Sequence, residues 1–208
     1  MVLGITGGIA SGKSSVTEMF RRRGALVVSA DALAREIVRP GSPVLKQLVA
    51  RFGAGILGAD GSLDRAALGA RIFSDEASRR ALNEITHPAI ARLARERLKQ
   101  SRQSGAPLVV YEAPLLFEAG AEGRVDKVLV VKIRPETQLA RLMVRDGLSE
   151  PDARRRIAAQ MPQEEKLARA DYVIDNSGTL QDTEAQVRAL LERLLGASPG
   201  ADPPESSP

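Results

Sequence analysis

The chain has 208 residues, of which 43% are hydrophobic and 27% charged, and a net charge of +4, a composition that is ordinary for a globular protein. It has no cysteine and one histidine, which excludes disulfides, cysteine-bound metals and a histidine-based zinc site. Because there is no long apolar run, no signal-peptide pattern and only 3% aromatic residues, we expect a cytoplasmic protein that neither spans a membrane nor stacks on single-stranded nucleic acid.

Five short apolar segments are predicted to form β-strands. Most show little polar–apolar alternation, which is typical of a parallel sheet covered by helices on both faces. Helical patterns separate them, so the sequence predicts an α/β layered fold. The segments are 2–6, 25–29, 107–113, 127–133 and 172–175.

Two helical regions are longer than a simple crossover between strands requires. Residues 31–103 are predicted to form an inserted helical lobe, and the arginine-rich residues 137–169 a mobile lid with breaks at glycine and proline. Residues 181–195 read as an amphipathic closing helix, and the tail 197–208 as disordered. The nucleotide-binding core then comprises 1–30, 104–136 and 170–196.

A phosphate-binding loop is predicted between the first strand and the next helix. Gly7-x4-Gly12-Lys13-Ser14 matches G-x-x-x-x-G-K-[ST] at every fixed position. Glycines let backbone N–H groups turn toward a phosphate, Lys13 reaches the β- and γ-phosphates, and the Ser14 hydroxyl takes one Mg²⁺ position. We therefore expect a nucleoside triphosphate here, with Ser14 as metal ligand and contacts from Gly8, Ala10, Ser11, Gly12, Lys13, Ser14 and Ser15.

A second glycine pattern, residues 53–58, matches the dinucleotide fingerprint G-x-G-x-x-G. It follows a helical stretch rather than a strand, and no strand-borne acid lies about twenty residues further on. The sequence therefore predicts a loop between two helices.

The residues that accompany the phosphate loop favour a small-molecule kinase. No N-K-x-D guanine signature occurs, whereas the helical lobe and lid match what a kinase needs for its acceptor and for closure. Asp31 follows the second strand, where open α/β sheets bind ligands, and can accept a proton from an acceptor hydroxyl. Its alternative is an N-cap of the next helix. Arg141 and Arg145 share a helix face, either to close on phosphate or as a solvated surface.

Seven segments in chain order carry a family resemblance. TGGIASGKS, SADALAREIVRPGSP, FG…IL…DGSLDRAAL, NEITHPAI, PLLFE, ETQLARLMVRD and EEKLARADYVIDNSG together resemble dephospho-CoA kinase, from about residue 2 to 195. The resemblance implies a P-loop NTPase three-layer fold, with a parallel five-stranded sheet, a helical acceptor-binding insertion and a helical lid. It also implies that ATP, with Mg²⁺, phosphorylates the ribose 3′-hydroxyl of dephospho-CoA, the last step of coenzyme A synthesis.

The resemblance also implies roles for individual residues. Asp31 falls on the acid that activates or orients the hydroxyl, and Arg145, together with Arg141, on lid arginines that contact ATP phosphates or adenine. The stretch ending at Asn176 lies where the family closes around the base. Arg35 and the PLLFE segment lie where the family holds the acceptor, although core packing is an equal alternative for the apolar members of that segment. The PLLFE residues are Pro114, Leu115, Leu116, Phe117 and Glu118.

Three further positions have open roles. The family usually shows D-A-D after the second strand, and here Ser29 replaces the first aspartate. A contribution of that aspartate to Mg²⁺ binding is therefore missing, unless the Ser29 hydroxyl or a water molecule replaces it. Glu112 is an outer-sphere Mg²⁺ partner or, as we prefer, a variable position without a role. His87, before Pro88, is predicted to start a helix, with contact to an acceptor phosphate as the alternative.

In the expected mechanism Lys13, Mg²⁺ and Arg145 stabilise the transferring phosphoryl group while Asp31 aligns the hydroxyl. The expected partners are ATP and dephospho-CoA, without nucleic acid or membrane; the oligomeric state stays open, with a monomer favoured. Another nucleoside or metabolite kinase of this architecture is the first alternative. The second is an ATP-switched module that binds nucleic acid through the arginine runs 21–23 and 154–156.

Overall fold

The structure is a computed structural model that describes residues 1–72 and 75–196, so the predicted disordered tail 197–208 lies outside the described residues. The strands are β1 (Val2–Thr6), β2 (Leu26–Ser29), β3 (Val109–Glu112), β4 (Lys127–Lys132) and β5 (Tyr172–Asp175). The helices are α1 (Lys13–Arg21), α2 (Ala30–Glu36), α3 (Pro43–Phe52), α4 (Arg65–Ile72), α5 (Glu76–Gln103), α6 (Pro135–Asp146), α7 (Glu150–Ala158), α8 (Gln163–Ala168) and α9 (Leu180–Gly196).

The predicted parallel five-stranded sheet is confirmed. Its strand order is β2-β3-β1-β4-β5, with every pairing parallel. The central strand β1 pairs Val2 with Val109 of β3 on one side and Leu3 with Lys127 of β4 on the other. Since the chain crosses from one side of β1 to the other after β3, the carboxyl ends of β1, β2 and β3 meet at a topological switch point, where open α/β sheets bind ligands.

Apolar side chains cover both faces of this sheet. On one face, buried residues of α1 and α9, such as Phe20 and Val187, pack against β1 and β4. On the other face, Leu33 of α2 and Leu98 of α5 pack against β3 and the PLLFE segment. The described part of 31–103 also has a core of its own, formed by Ile37, Val38, Leu48, Phe52, Ile56 and Leu68. The sheet is thus the middle of three layers, and a separate helical cluster is attached beside it.

The prediction that His87 starts a helix is wrong. α5 runs without interruption over 28 residues, and Pro88 lies inside it. A proline inside a helix removes one backbone hydrogen bond and normally kinks or ends the helix. Here the segments on both sides of Pro88 are anchored by burial: Ile85 and Ile90 pack into the helical cluster, and Ala94 and Leu98 into the sheet core. Tertiary packing therefore overrides the local signal.

Two local readings are resolved by helix capping. Gly53 ends α3 with φ +83°, and 53–58 connects α3 to α4 through a 3₁₀ turn, as predicted for the false dinucleotide pattern. The N-cap of α2 is Ser29, whose Oγ accepts from the Ala32 N–H at 3.4 Å. The alternative reading of Asp31 as the N-cap is therefore wrong, because Asp31 lies inside the first turn. Its carboxylate is left available for another partner.

None of the helices in 1–72 and 75–196 has the length and apolarity that crossing a membrane requires.

Candidate active site

The phosphate loop joins β1 to α1, and its shape is fixed by a contact from the far end of the chain. Gly12 has φ +86°, and a Cβ at this position would lie 2.0 Å from Asn176 Nδ2. That amide nitrogen donates to the Ser11 carbonyl at 2.8 Å, while Asn176 Oδ1 accepts from Thr183 Oγ1 at 2.9 Å. Only glycine fits, and Asn176 holds the loop backbone directly.

The loop also contains strained and unpartnered groups. Ala10 is the non-glycine residue with positive φ (+57°) among the described residues, and such backbone strain clusters at ligand-binding sites. Ser11 Oγ is buried without a hydrogen-bond partner in the described part of the chain. Ser14 and Ser15 are exposed at the start of α1, where a helix N-terminus attracts anions. These features suit a loop that is completed by a phosphate.

Lys13 is buried and folded back onto the loop. Its Nζ donates to the carbonyls of Gly7 and Gly8 at 2.9 and 2.8 Å. Burial lowers the pKa of Lys13 from its ordinary value to about 8, because desolvation disfavours the charged form.

Four charged side chains from other elements act on the Lys13 ammonium. Glu112, at the end of β3, and Asp31, on α2, raise its pKa, whereas Lys166 of α8 and Arg145 of α6 lower it. Asp31 and Arg145, two of the residues predicted to be catalytic, are therefore within electrostatic range of the third, Lys13, although the chain separates them widely.

A polar pair suitable for a metal lies at the first residue after Lys13. The Ser14 hydroxyl donates to Glu112 Oε1 at 3.0 Å. Within the described ranges, no group of three His, Cys, Asp or Glu residues could hold a metal ion by itself. Mg²⁺ in kinases is commonly bound by one or two protein oxygens together with substrate phosphates, so the pair fits that donor set. This geometry favours the reading of Glu112 that we did not prefer from the sequence.

Two glutamines from the segment 137–169, the predicted lid, hold the phosphate loop at Ile9. Gln138 Nε2, on α6, donates to the Ile9 carbonyl at 2.9 Å, and the Ile9 N–H donates to Gln160 Oε1 at 2.7 Å. Gln138 lies in the ETQLARLMVRD segment, but nothing in the sequence separates either glutamine from a solvated one. Such a long-range contact becomes visible only in the folded chain.

The lid arginines occupy different surroundings. Arg145 forms a two-point pair with its neighbour Asp146 at 2.8 and 3.1 Å, and Arg156 contacts the same carboxylate at 3.1 Å. Arg141 instead lines a cavity of about 270 Å³ beside the phosphate loop. The other lining residues of this cavity are Ala10, Gly12, Ser15, Asn176, Gly178 and Leu180. Its size and position suit part of a nucleotide.

A second cavity, of about 410 Å³, lies beside Asp31. His87, Pro114, Leu115, Arg124 and Gln160 also line it, together with small and apolar residues. The lining residues come from α2, α5, the end of β3 with the PLLFE segment, the following residues 119–124 and the loop after α7. The exposed Arg35 is not among them.

The PLLFE residues divide between this cavity and the core. Pro114 and Leu115 line the cavity, and Leu115 is 50% exposed. Leu116 and Phe117 are buried in the sheet core, in line with the packing alternative that the sequence left open. Of the apolar members, only Pro114 and Leu115 therefore face the cavity.

The last PLLFE residue, Glu118, contacts α8 and the residues that precede it. Its Oε1 lies 2.5 Å from the Nζ of Lys166, whose side chain is completely buried, and it also accepts from the Met161 N–H at 3.4 Å. The Arg169 guanidinium stacks on the Phe117 ring at 4.2 Å. Sequence reasoning missed Lys166, which lies in the EEKLARAD part of a family segment.

The two arginine runs are compensated by nearby carboxylates. Arg21 and Arg22 pair with Glu18, and Arg23 with Glu184. Arg154, Arg155 and Arg156 pair with Glu150, Asp152 and Asp146 in turn. Neither run is an uncompensated basic stripe, which counts against the nucleic-acid alternative.

Comparisons with known proteins identify the family of this chain. The sequence model of the dephospho-CoA kinase family matches residues 1–182. Dephospho-CoA kinase of Syntrophotalea carbinolica is 60% identical over 203 residues, which are 98% of this chain and 96% of that protein. The crystal structure of TT1252 from Thermus thermophilus is 41% identical with a TM-score of 0.77, covering 93% of this chain and 97% of the other. Dephospho-CoA kinase from Campylobacter jejuni is 30% identical with a TM-score of 0.74, covering 95% and 98%. The resemblance seen in seven sequence segments is confirmed, and the chain belongs to the dephospho-CoA kinase family.

Proposed function

We propose that this chain transfers a phosphoryl group from ATP to the ribose 3′-hydroxyl of dephospho-CoA with Lys13, Asp31 and Arg145 as its catalytic residues. The observation that supports this assignment is that Asp31 lines a cavity together with Gln160, which is hydrogen-bonded to the phosphate loop at Ile9. Asp31 and Arg145, from different helices, also both act electrostatically on Lys13. Phosphoryl transfer needs cations around the moving group and a carboxylate at the attacking hydroxyl. These three residues supply both.

ATP lies along the phosphate loop in this proposal. Lys13 exchanges the carbonyls of Gly7 and Gly8 for β- and γ-phosphate oxygens, which are stronger partners because they are charged. The base and ribose then extend toward the cavity lined by Arg141 and Asn176. The loop is already held in place by Asn176, Gln138 and Gln160, so little reorganisation is needed when the phosphates arrive.

Mg²⁺ would be held by Ser14, with Glu112 binding directly or through water, and by the ATP phosphates. When bound, it neutralises charge that develops on the transferring group. Ser29 Oγ caps α2 by accepting from the Ala32 N–H at 3.4 Å, and the proposal assigns it no role at the metal.

Asp31 acts on the acceptor. It is exposed, lines the cavity of about 410 Å³ and has no hydrogen-bond partner among the described residues. It can therefore accept a hydrogen bond from the ribose 3′-hydroxyl, take up its proton and align the oxygen with the γ-phosphate.

Arg145 supplies the lid cation. Its guanidinium is about half exposed and paired with Asp146, an arrangement that is weak in water. We propose that it leaves Asp146 for the transferring phosphoryl group as the lid closes and excludes water.

The decisive experiment measures coenzyme A formation by mass spectrometry alongside coupled ATP consumption, with dephospho-CoA, AMP, CMP and shikimate offered as acceptors. We expect product from dephospho-CoA. Absence of coenzyme A with the wild-type chain would contradict the function itself.

The residue assignment is tested separately with Asp31→Asn. Loss of the carboxylate should lower kcat by about 10²–10⁴ while the KM for ATP stays unchanged, the range for removing a general base. Glu36→Gln on the same helix is the matched control, because Glu36 pairs with Arg97 outside the cavity. A near-wild-type rate for Asp31→Asn would remove Asp31 from the mechanism and leave the function standing.

The division into core, insertion 31–103 and lid 137–169 stays a prediction, as do the contacts of Arg35 and His87 with the acceptor. A cytoplasmic location and a monomeric state are likewise inferred from the sequence.

A further inference from the structure

We infer that Arg124 binds the 5′-diphosphate of the acceptor. The inference rests on the proposed function, in which dephospho-CoA occupies the cavity beside Asp31. Of the described residues that line this cavity, Arg124 is the one lysine or arginine. The acceptor carries two negative charges on its diphosphate, and guanidinium binds phosphate oxygens through two parallel hydrogen bonds.

The surroundings of Arg124 leave its charge available. It ends the 3₁₀ turn Glu122–Arg124, and its backbone N–H donates to the Ala121 carbonyl at 3.1 Å. The two acids nearest in sequence are already engaged: Glu122 pairs with Arg169, and Asp126 accepts from Arg102 and from the Val2 N–H. Over residues 1–72 and 75–196, no carboxylate forms an ion pair with Arg124.

A second observation indicates where the part of the acceptor beyond the diphosphate lies. Arg124 also lines a neighbouring cavity of about 410 Å³, whose other cations are Arg95, Lys99 and Arg102 of α5. These three are spaced four and three residues apart, so they share one helix face. Of these, Arg102 alone has a carboxylate partner among the described residues. Arg95, Lys99 and Arg124 therefore gather three positive charges that no carboxylate pairs with among the described residues, and such a cluster creates a positive field that attracts an anion.

The two cavities together orient the ribose. Its 3′ side faces Asp31 and the phosphate loop, and its 5′ side faces Arg124, where the cavities share a wall. The diphosphate binds at that wall, and the remainder of the acceptor extends toward α5. Arg124 thus selects a nucleoside with a 5′-diphosphate over a plain nucleoside.

The test compares dephospho-CoA with adenosine, which lacks the diphosphate. In Arg124→Ala we expect the KM for dephospho-CoA to rise about 10- to 100-fold, the effect of losing a charge-assisted contact, with kcat and the KM for ATP changed less than about twofold. Adenosine, measured as a competitive inhibitor against dephospho-CoA, should keep its inhibition constant. Arg124→Lys should recover part of the affinity, since it restores the charge but not the fork.

Two controls accompany these variants. Arg188→Ala removes an exposed arginine on α9, which packs on the opposite face of the sheet, and should leave both constants unchanged. Lys99→Gln should raise the KM for dephospho-CoA by only about two- to threefold, because Lys99 attracts the acceptor through the positive field of the neighbouring cavity and does not bind the diphosphate directly. Melting temperatures verify that each variant is folded.

The inference is overturned if Arg124→Ala leaves the KM for dephospho-CoA unchanged, or if it raises the inhibition constant of adenosine by the same factor. A wild-type enzyme that binds adenosine as tightly as dephospho-CoA would overturn it too. If adenosine does not inhibit measurably, the diphosphate contributes most of the affinity, and the KM in Arg124→Ala alone decides. Each of these outcomes is read on an active wild-type enzyme, so failure here is distinct from failure of the proposed function.

Discussion

The phosphate loop and the cavity beside Asp31, which we propose as the donor and acceptor ends of the site, are built differently. At the phosphate loop, Lys13 lies on two backbone carbonyls, Asn176 holds Ser11, and two glutamines hold Ile9. In the acceptor cavity, Asp31 and Arg124 have no side-chain partner among the described residues, and Leu115 is half exposed. The phosphate loop is held by hydrogen bonds before a ligand binds, whereas the cavity beside Asp31 leaves its charged side chains without partners.

This difference follows from what each end must do. A triphosphate is bound mainly by backbone N–H groups and fixed charges, which work best when they need no reorganisation. Acceptor choice depends on polar groups that gain a partner only when the right substrate binds, because a wrong substrate leaves them unpaired. Four predictions test this contrast, from the largest expected effect to the smallest.

Replacing the central cation of the donor end should have the largest effect. In Lys13→Met we expect kcat to fall by about 10³, the cost of removing one preorganised charged donor. Met fills a similar volume without a buried charge, so the melting temperature at pH 7 should stay the same or rise. Steady-state kinetics and thermal unfolding measure both; a clear drop in melting temperature would mean that Lys13 is mainly structural.

A methyl group added to the phosphate loop should have the next largest effect, which is on the free energy of unfolding. Gly12→Ala should lower the free energy of unfolding by about 3 kcal/mol, from left-handed strain together with the clash at Asn176. Gly24→Ala is the matched control, since Gly24 has φ +92° but nothing within 4 Å of an added Cβ. Urea unfolding measures the free energy of unfolding of both variants. Equal losses in the two would show that the Asn176 side chain moves away from the added methyl group at little cost.

The ion pair between the PLLFE segment and the lid should contribute less. Lys166→Met leaves the Glu118 carboxylate with only the Met161 N–H, and we expect a loss of about 2 kcal/mol in unfolding free energy. Adding Glu118→Gln should recover part of it. Lys127→Met breaks the exposed pair with Asp171 and should cost less than about 1 kcal/mol. A similar cost for both lysines would remove the distinction between buried and exposed pairs.

The smallest effect concerns pH and follows from the buried Lys13. ATP phosphates raise its pKa above the value of about 8 in the free protein, so ATP binding takes up a proton above pH 8. The Kd for ATP should then rise with pH by at most tenfold per unit, in a range where phosphate, with a second pKa of about 6, is already ionised. Calorimetry in buffers of different ionisation enthalpy measures the uptake, and Lys13→Arg should abolish it.

The same pKa has an opposite consequence for the free protein. Because the folded pKa lies below the unfolded value of 10.5, charged Lys13 costs stability below pH 8. Its contribution to the free energy of unfolding should therefore increase as pH rises from about 8 to 10.5. No proton uptake with ATP and no such increase would together contradict the burial argument.

Much of the fold could be predicted because its signals are local. The bounds of β1 and β5 agree with the predicted segments, and β2, β3 and β4 are shorter by one to three residues. The prediction for His87 was wrong because Pro88 is a strong local helix breaker, whereas the continuity of α5 depends on burial of residues on both sides of Pro88. Ser29 appeared as a missing metal ligand, and the backbone at the start of α2 uses it as a cap.

The sequence by itself determined the α/β order of elements, the phosphate loop and the family, since each depends on residues that are contiguous or nearly so. Tertiary structure decided which side chains meet. The Ile9–Gln160 contact spans 151 positions, and Lys166 reaches Glu118 across 48. The charge of Arg124 becomes informative only when its neighbouring acids are found paired elsewhere. Such contacts depend on how the helices of 31–103 and 137–169 pack against the sheet, and no local pattern in the chain records that packing.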